Sequence, residues 1–171
     1  MTADDIRLEG SGVQVLEGAG RIEIDASGHL FMASGSQISA RSGAVSVRAE
    51  GDVEVSVIHS GSGDVHLGGR DIVLRDVGLY SQQGGEVSLI ATGVLRMAPG
   101  TQIRSDQGVM RVHTGGQMDI WRIVSQEGDI NLDAGGPVHV VGPDLHPQVV
   151  TAGNLDIQST LGVAGYGFER L

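Results

Sequence analysis

The chain has 171 residues, of which 40% are hydrophobic, so it is long enough to bury a core and too apolar for a disordered chain. Its formal net charge of −10 argues against nucleic-acid binding and against docking on an anionic bilayer. The absence of cysteine excludes disulfides, thiolate metal sites and thiol catalysis.

Residues 1–19 are predicted to form an N-terminal partial coil that caps the fold. Two short alternating stretches, DIRL from Asp5 and GVQV from Gly12, are typical of β-strands, and a third side is missing. The opening letters MTADDIRLEG lack the pattern of a signal peptide. No apolar run approaches the roughly 20 residues that a membrane helix needs, so membrane insertion is not expected.

Residues 20–136 are predicted to form the coils of a β-helix, because they repeat one pattern: glycine, any residue, apolar, polar, apolar. Period-two alternation is typical of a strand with one buried and one exposed face. Each glycine is predicted to mark a turn, where the backbone needs a positive φ or a side chain would clash. We call these the pentad glycines, and they are spaced by 23, 20, 22, 23, 20 and 25 residues: Gly20, Gly43, Gly63, Gly85, Gly108, Gly128 and Gly153.

Each repeat also holds a second alternating pair and a weaker third apolar position. The pairs are Leu30/Met32, Val53/Val55, Ile72/Leu74, Leu95/Met97, Met118/Ile120 and Val138/Val140, and the third positions are Ile38, Val57, Leu79, Ile103 and Ile123. A period of this length indicates a solenoid, whose stacked coils share one core.

These patterns together predict an all-β fold, a right-handed single-stranded parallel β-helix of about seven coils of roughly 22 residues. The handedness follows from the strong bias of parallel crossover connections. An antiparallel sandwich is the alternative, against which the chain has no Asn-Gly or Asp-Gly hairpin turn.

The C-terminal part of the chain departs from the repeat. Three of the four prolines cluster in residues 137–152, which are predicted to form a loop excursion because proline cannot donate to a strand ladder. Residues 153–171 are predicted to hold the last coil and a C-terminal cap or contact segment. Tyr166 and Phe168 make up half of all Tyr and Phe and are the candidates for contact with another chain.

No group of acids predicts a catalytic centre. Asp71 and Asp76 bracket one predicted strand, and Asp129 and Asp133 bracket another. Acid/base catalysis needs two carboxylates that converge in one cleft, whereas these lie near strand ends. We interpret them as solvated turn residues.

The histidines are also interpreted as surface residues, so neither a metal site nor a cofactor site is predicted. His66 occupies the outward position of its strand, where other coils place residues of unrelated chemistry. A divalent site between His139 and His146, with Asp144 between them, is the weaker alternative. The calcium-binding repeat G-G-x-G-x-D and the phosphate-binding P-loop motif are both absent.

The rhythm of residues 5–160 resembles the β-helical repeats of filamentous-haemagglutinin-type bacterial adhesins. Residues 97–134 are similar to the last coils of the sarcoglycan ectodomain, in MAP from Met97, GGQMDI from Gly115 and SQEGDINLDAGG from Ser125. Both resemblances imply a β-helix that acts as a structural or adhesive element and not as a catalyst.

The expected function is therefore a non-catalytic scaffold or adhesion module without cofactors. We expect protein partners, including end-to-end self-association, because exposed end strands are templates for pairing with another chain. An extracellular or cell-surface location follows from the resemblances. The alternatives are a polysaccharide-active β-helix enzyme, a sarcoglycan-like membrane-complex ectodomain, and a phage or secretion spike component.

Overall fold

A computed structural model describes residues 1–10, 12–18, 20–141 and 149–164, and the backbone of residues 168–170. These residues form 22 strands that pair in parallel. None of them lies in a helix that could cross a membrane. The strands stack into a β-solenoid of about seven turns spaced by about 23 residues, which confirms the predicted all-β parallel coil fold.

Each coil has three faces, and the first of them, face A, is one continuous sheet. Its strands are β1 (Thr2–Ala3), β4 (Ile22–Ala26), β7 (Val45–Ala49), β9 (Val65–Gly69), β11 (Val87–Ala91), β14 (Met110–Thr114), β17 (Ile130–Ala134) and β20 (Leu155–Ser159). From β4 onward these strands follow the pentad glycines, and equivalent residues pair directly from coil to coil, as Ile22 does with Val45. The repeat found in the sequence therefore gives the register in which the strands of successive coils pair.

Face B carries the second alternating pair of each coil. Its strands are β2 (Ile6–Leu8), β5 (Leu30–Met32), the first parts of β8 (Val53–Ser60) and β10 (Ile72–Ser81), β12 (Leu95–Met97), β15 (Met118–Ile120), β18 (Val138–Val140) and β21 (Val163–Ala164).

Face C carries the third apolar position. Its strands are β3 (Gly12–Val15), β6 (Gln37–Ala40), the second parts of β8 and β10, β13 (Gln102–Ser105), β16 (Ile123–Ser125), β19 (Val149–Thr151) and β22 (Phe168–Arg170). Faces B and C belong to one hydrogen-bonded sheet, because β8 and β10 run through both.

The core is a set of inward columns, one residue from each coil, that run the length of the solenoid. On face A the column of Ile24 continues through Val47, Leu67 and Leu89, none of which is more than 1% exposed. Burying one such aliphatic side chain contributes about 1.5–3 kcal/mol. Because each coil covers the column of its neighbour, these aliphatic side chains are buried without a deep aromatic core.

The structure corrects the third apolar position of one coil. Ile58, and not Val57, is the fully buried residue, and it pairs with Ile38 and Leu79 on either side. This coil has no loop between faces B and C, since β8 continues from one to the other. Ser56 is buried next to Val55 at the junction, so the alternation of buried residues shifts by one position.

The first coil and residues 137–152 also differ from the prediction. The first coil has strands on all three faces, and the one on face A is only the two-residue strand Thr2–Ala3. The loop predicted for residues 137–152 is wrong at its two ends, because Val138–Val140 and Val149–Thr151 are strands stacked on the preceding coil. Pro137 precedes the first of these strands, where it has no N–H to donate and its carbonyl accepts the N–H of Met118 at 3.0 Å. Residues 142–148 lie outside the described part of the chain.

Candidate functional site

The pentad glycines stack at the turn from face C to face A. A Cβ atom at Gly43 would overlap the carbonyl of Gly20, and the same overlap recurs for Gly108 on Gly85 and for Gly128 on Gly108. None of the pentad glycines has a positive φ. Of the two reasons that sequence allowed, close backbone approach is therefore the one that applies.

A column of buried hydroxyls lines the same turn, and sequence analysis did not predict it. Its members are fully buried at the second inward position of face C: Ser60, Ser81, Ser105, Ser125 and Thr151. Each donates a hydrogen bond to the carbonyl of a pentad glycine one coil earlier, as Ser60 does to Gly43 at 2.9 Å. All except Ser81 also accept the N–H of their own coil's pentad glycine, at 2.7–3.0 Å.

The hydroxyl column stabilises the turn, because it hydrogen-bonds carbonyl and N–H groups of the pentad glycines that would otherwise be buried without a partner. Its signal in sequence is a serine three residues before the pentad glycine, in Ser60–Gly63, Ser105–Gly108 and Ser125–Gly128. An isolated serine in a turn is typical of a solvated residue, which is why the column is not apparent until the coils are stacked.

The candidate acids make separate structural contacts and do not converge. Asp71 Oδ1 accepts the N–H of Val94 at 3.0 Å, and Asp129 Oδ1 accepts that of Asn154 at 2.7 Å, so both carboxylates cap the next coil. Asp133 lies on the outside of face A, where its Oδ2 is 2.8 Å from Nδ1 of His113.

Asp76 joins three coils at the turn from face B to face C. Its carboxylate accepts the hydroxyl of Ser56 at 2.6 Å, the hydroxyl of Ser34 at 3.1 Å and the N–H of Gly35 at 3.3 Å. These donors lie in the two preceding coils, and they are brought together because the coil of β8 has no loop here. The Ser56 hydroxyl, helped by Ser34, lowers the pKa of Asp76. Asp76 is also the only non-glycine among the described residues with a positive φ, 55°.

Four histidines lie beside carboxylates on the surface: His29 near Asp52, His66 near Asp64, His113 near Asp133, and His139 near Asp119. Within the described residues, no three of His, Asp and Glu form a group that could hold a metal ion. His146 and Asp144, which belong to the weaker metal hypothesis, lie outside those residues.

A ladder of planar side chains runs along the outside of face C. The rings of His59 and Tyr80 stack at 5.2 Å, and the guanidinium of Arg104 lies 5.5 Å from the Tyr80 centroid. Burial lowers the pKa of His59, against a hydrogen bond with Gln82 that raises it. Both faces of Tyr80 are thus occupied, so the ladder stabilises adjacent coils and offers no open ring for a ligand.

The core is incompletely covered at both ends of the described solenoid. In the last face A strand, Leu155 and Ile157 are only half-buried, whereas Ile130 and Leu132, one coil earlier, are at most 1% exposed. Leu8, Val13 and Val15 of the first coil are likewise half-buried.

The predicted contact segment falls largely outside the described part of the chain. Tyr166 is not among the described residues. The backbone of Phe168 pairs with Val149 in face C, which extends the stack by one strand.

No family model matches the chain, and the searches of curated proteins and of solved structures found no match either. The resemblances to adhesins and to sarcoglycan therefore stay predictions.

Proposed function

We propose that the chain is a non-catalytic structural or adhesion module, a rigid scaffold that assembles with other chains at the cell surface or in a larger complex. The observation that supports the proposal is that both ends of the described solenoid have unpaired strand edges and an incompletely covered core. The end strands β1 to β3 and β20 have no neighbour on their outer sides among the described residues, and the core behind them is half-covered.

Such an end offers a partner both ladder hydrogen bonds and apolar area. Unpaired strand edges are templates for pairing, and the half-buried Leu155 and Ile157 supply a surface that gains from being covered. A coil of another chain placed on this end would continue the contacts that each internal coil already makes. Axial contact is thus supported by the same chemistry that holds the coils together.

The separate contacts of the candidate acids support a scaffold over an enzyme. Asp71, Asp76 and Asp129 each accept hydrogen bonds from another coil, so their carboxylates serve the stacking. The scaffold proposal expects no turnover on a panel of polysaccharides. Asp129→Asn should change the stability of the protein and, like wild type, should show no turnover of any polysaccharide in the panel.

The test of the proposal is light scattering after size exclusion, across a hundred-fold range of protein concentration. Wild type is compared with Ile157→Lys, which places a charge on the inward side of the end strand, and with Gln158→Lys, which places it on the outward side of the same strand. We expect association in wild type and Gln158→Lys, and its loss in Ile157→Lys.

Thermal unfolding of each variant shows whether the internal coils survive the change. Equal association of all three proteins, or a wild type that stays monomeric throughout the range, would contradict axial assembly.

A further inference from the structure

A shallow groove of about 560 Å³ lies on the outside of face B. Its floor is a column of outward residues from four successive coils, Val73, Arg96, Asp119 and His139, which pair in register. Four rungs at a spacing of about 4.8 Å give a floor roughly 14 Å long. The groove can thus hold a short extended ligand.

The groove contains one cation that no described residue neutralises. Arg75 at its rim pairs with Glu54, with Nε 2.9 Å and Nη2 3.2 Å from the two carboxylate oxygens. Arg96 has no ion-pair partner among the described residues, although the chain holds 21 acids against 11 arginines. An unpaired guanidinium presents a planar fork of donors that matches a carboxylate.

Beside Arg96 lies a network that suits hydroxyl groups. Asp119 Oδ1 accepts Nε2 of Gln117 at 2.6 Å and lies 3.2 Å from Nδ1 of His139. When the ring is neutral and Nδ1 donates to the carboxylate, Nε2 of His139 is left as an acceptor. Together with the second oxygen of Asp119, it provides acceptors next to the donors of Arg96.

Two classes of ligand fit this groove poorly. The strands of face B already use their backbone groups in the ladder, so an extended peptide could not add main-chain hydrogen bonds here. A polyanion without hydroxyl groups could only place a negative charge against the carboxylate of Asp119 next to Arg96 and would be repelled by it. A ligand that carries both carboxylates and hydroxyl groups can turn a hydroxyl toward Asp119 and meets neither obstacle.

We propose that this groove binds a uronate-containing oligosaccharide, with the sugar carboxylate on Arg96 and sugar hydroxyls on Asp119 and His139. The site lies on the side of the solenoid and does not involve its ends, so ligand binding here does not depend on end-to-end association.

Isothermal titration with tetragalacturonate tests the proposal, with cellotetraose as the neutral probe and tetraglutamate as the acidic peptide. We expect tetragalacturonate to bind and the other two to bind at least tenfold more weakly. Arg96→Gln should weaken tetragalacturonate binding about tenfold or more, since it removes a charge-assisted pair. Arg41→Gln is the matched control, because Arg41 is an exposed arginine outside the groove that also lacks a described ion-pair partner.

Thermal unfolding shows that each variant is folded at the temperature of the titration. Three results would overturn the proposal: no binding of tetragalacturonate to wild type, equal binding by Arg96→Gln and Arg41→Gln, or binding of tetraglutamate as tight as that of the sugar.

Discussion

At the scale of single residues, the pentad glycines are required by contact and not by φ. Gly108 has the carbonyl of Gly85 where a Cβ would lie, whereas at Gly68 the nearest atom to a Cβ is 3.7 Å away and φ is not positive. Gly108→Ala should lower the free energy of unfolding by about 1–3 kcal/mol, the usual cost of overpacking. Gly68→Ala should leave it unchanged or raise it slightly.

Urea unfolding of both alanine variants measures this difference. Equal midpoints would mean that the coils can separate enough to admit a methyl group, and that the stacked carbonyls do not determine the residue.

The buried hydroxyl of Ser105 is predicted to contribute more to the free energy of unfolding than a serine at an exposed turn would. It donates to the carbonyl of Gly85 and accepts the N–H of Gly108 at 2.8 Å. Ser105→Ala leaves both backbone groups buried and unpaired, which should cost about 1–3 kcal/mol. Ser88→Ala, on the outward side of face A, is the control and should be nearly neutral in the same urea experiment.

Asp76 predicts a specific dependence of stability on pH. Its pKa is held below the ordinary value of 3.8 by the hydroxyl of Ser56. The folded chain therefore binds a proton at this site less readily than the unfolded chain does. The stabilisation is fully present above pH 3.8 and is lost as the pH falls through the lower folded pKa.

Comparing the pH dependence of wild type with that of Asp76→Asn isolates this residue from Asp52, whose pKa is also lowered. Asparagine tolerates the positive φ, so the variant should fold. The gap in thermal midpoint between the two proteins should narrow in acid. A gap that stays constant from neutral pH to acid would contradict the assignment.

At the scale of elements, each coil is an exchangeable unit because its strands pair only with strands of the coils on either side. Deleting residues 85–107 removes one whole repeat and brings Gly108 onto Gly63 in register. We expect this protein to fold into a shorter solenoid with cooperative unfolding. Deleting only residues 85–95 puts the faces out of register and should abolish the fold, as measured by circular dichroism and thermal unfolding.

The same scale shows what sequence could and could not predict. The repeat and the alternation were sufficient for the three faces and their register, because each recurs in nearly every coil. The shift from Val57 to Ile58 was not apparent, since it depends on a missing loop in one coil. The hydroxyl column and the Arg96 groove require knowing which residues stack, and a single coil does not show that.

At the scale of the whole molecule, the fold is a solenoid with an incompletely covered core at each end of its described part. Seven coils at about 4.8 Å give a length of roughly 34 Å along the axis. Association through the ends should extend this length and leave the cross-section unchanged. Lateral association should enlarge the cross-section and leave the length along the axis unchanged.

Small-angle X-ray scattering at rising protein concentration distinguishes end-to-end from lateral association. For end-to-end association, the maximum dimension should grow in steps of about one molecular length, roughly 34 Å, while the cross-sectional radius of gyration stays constant. A cross-section that grows with concentration, or a maximum dimension that does not change, would contradict it.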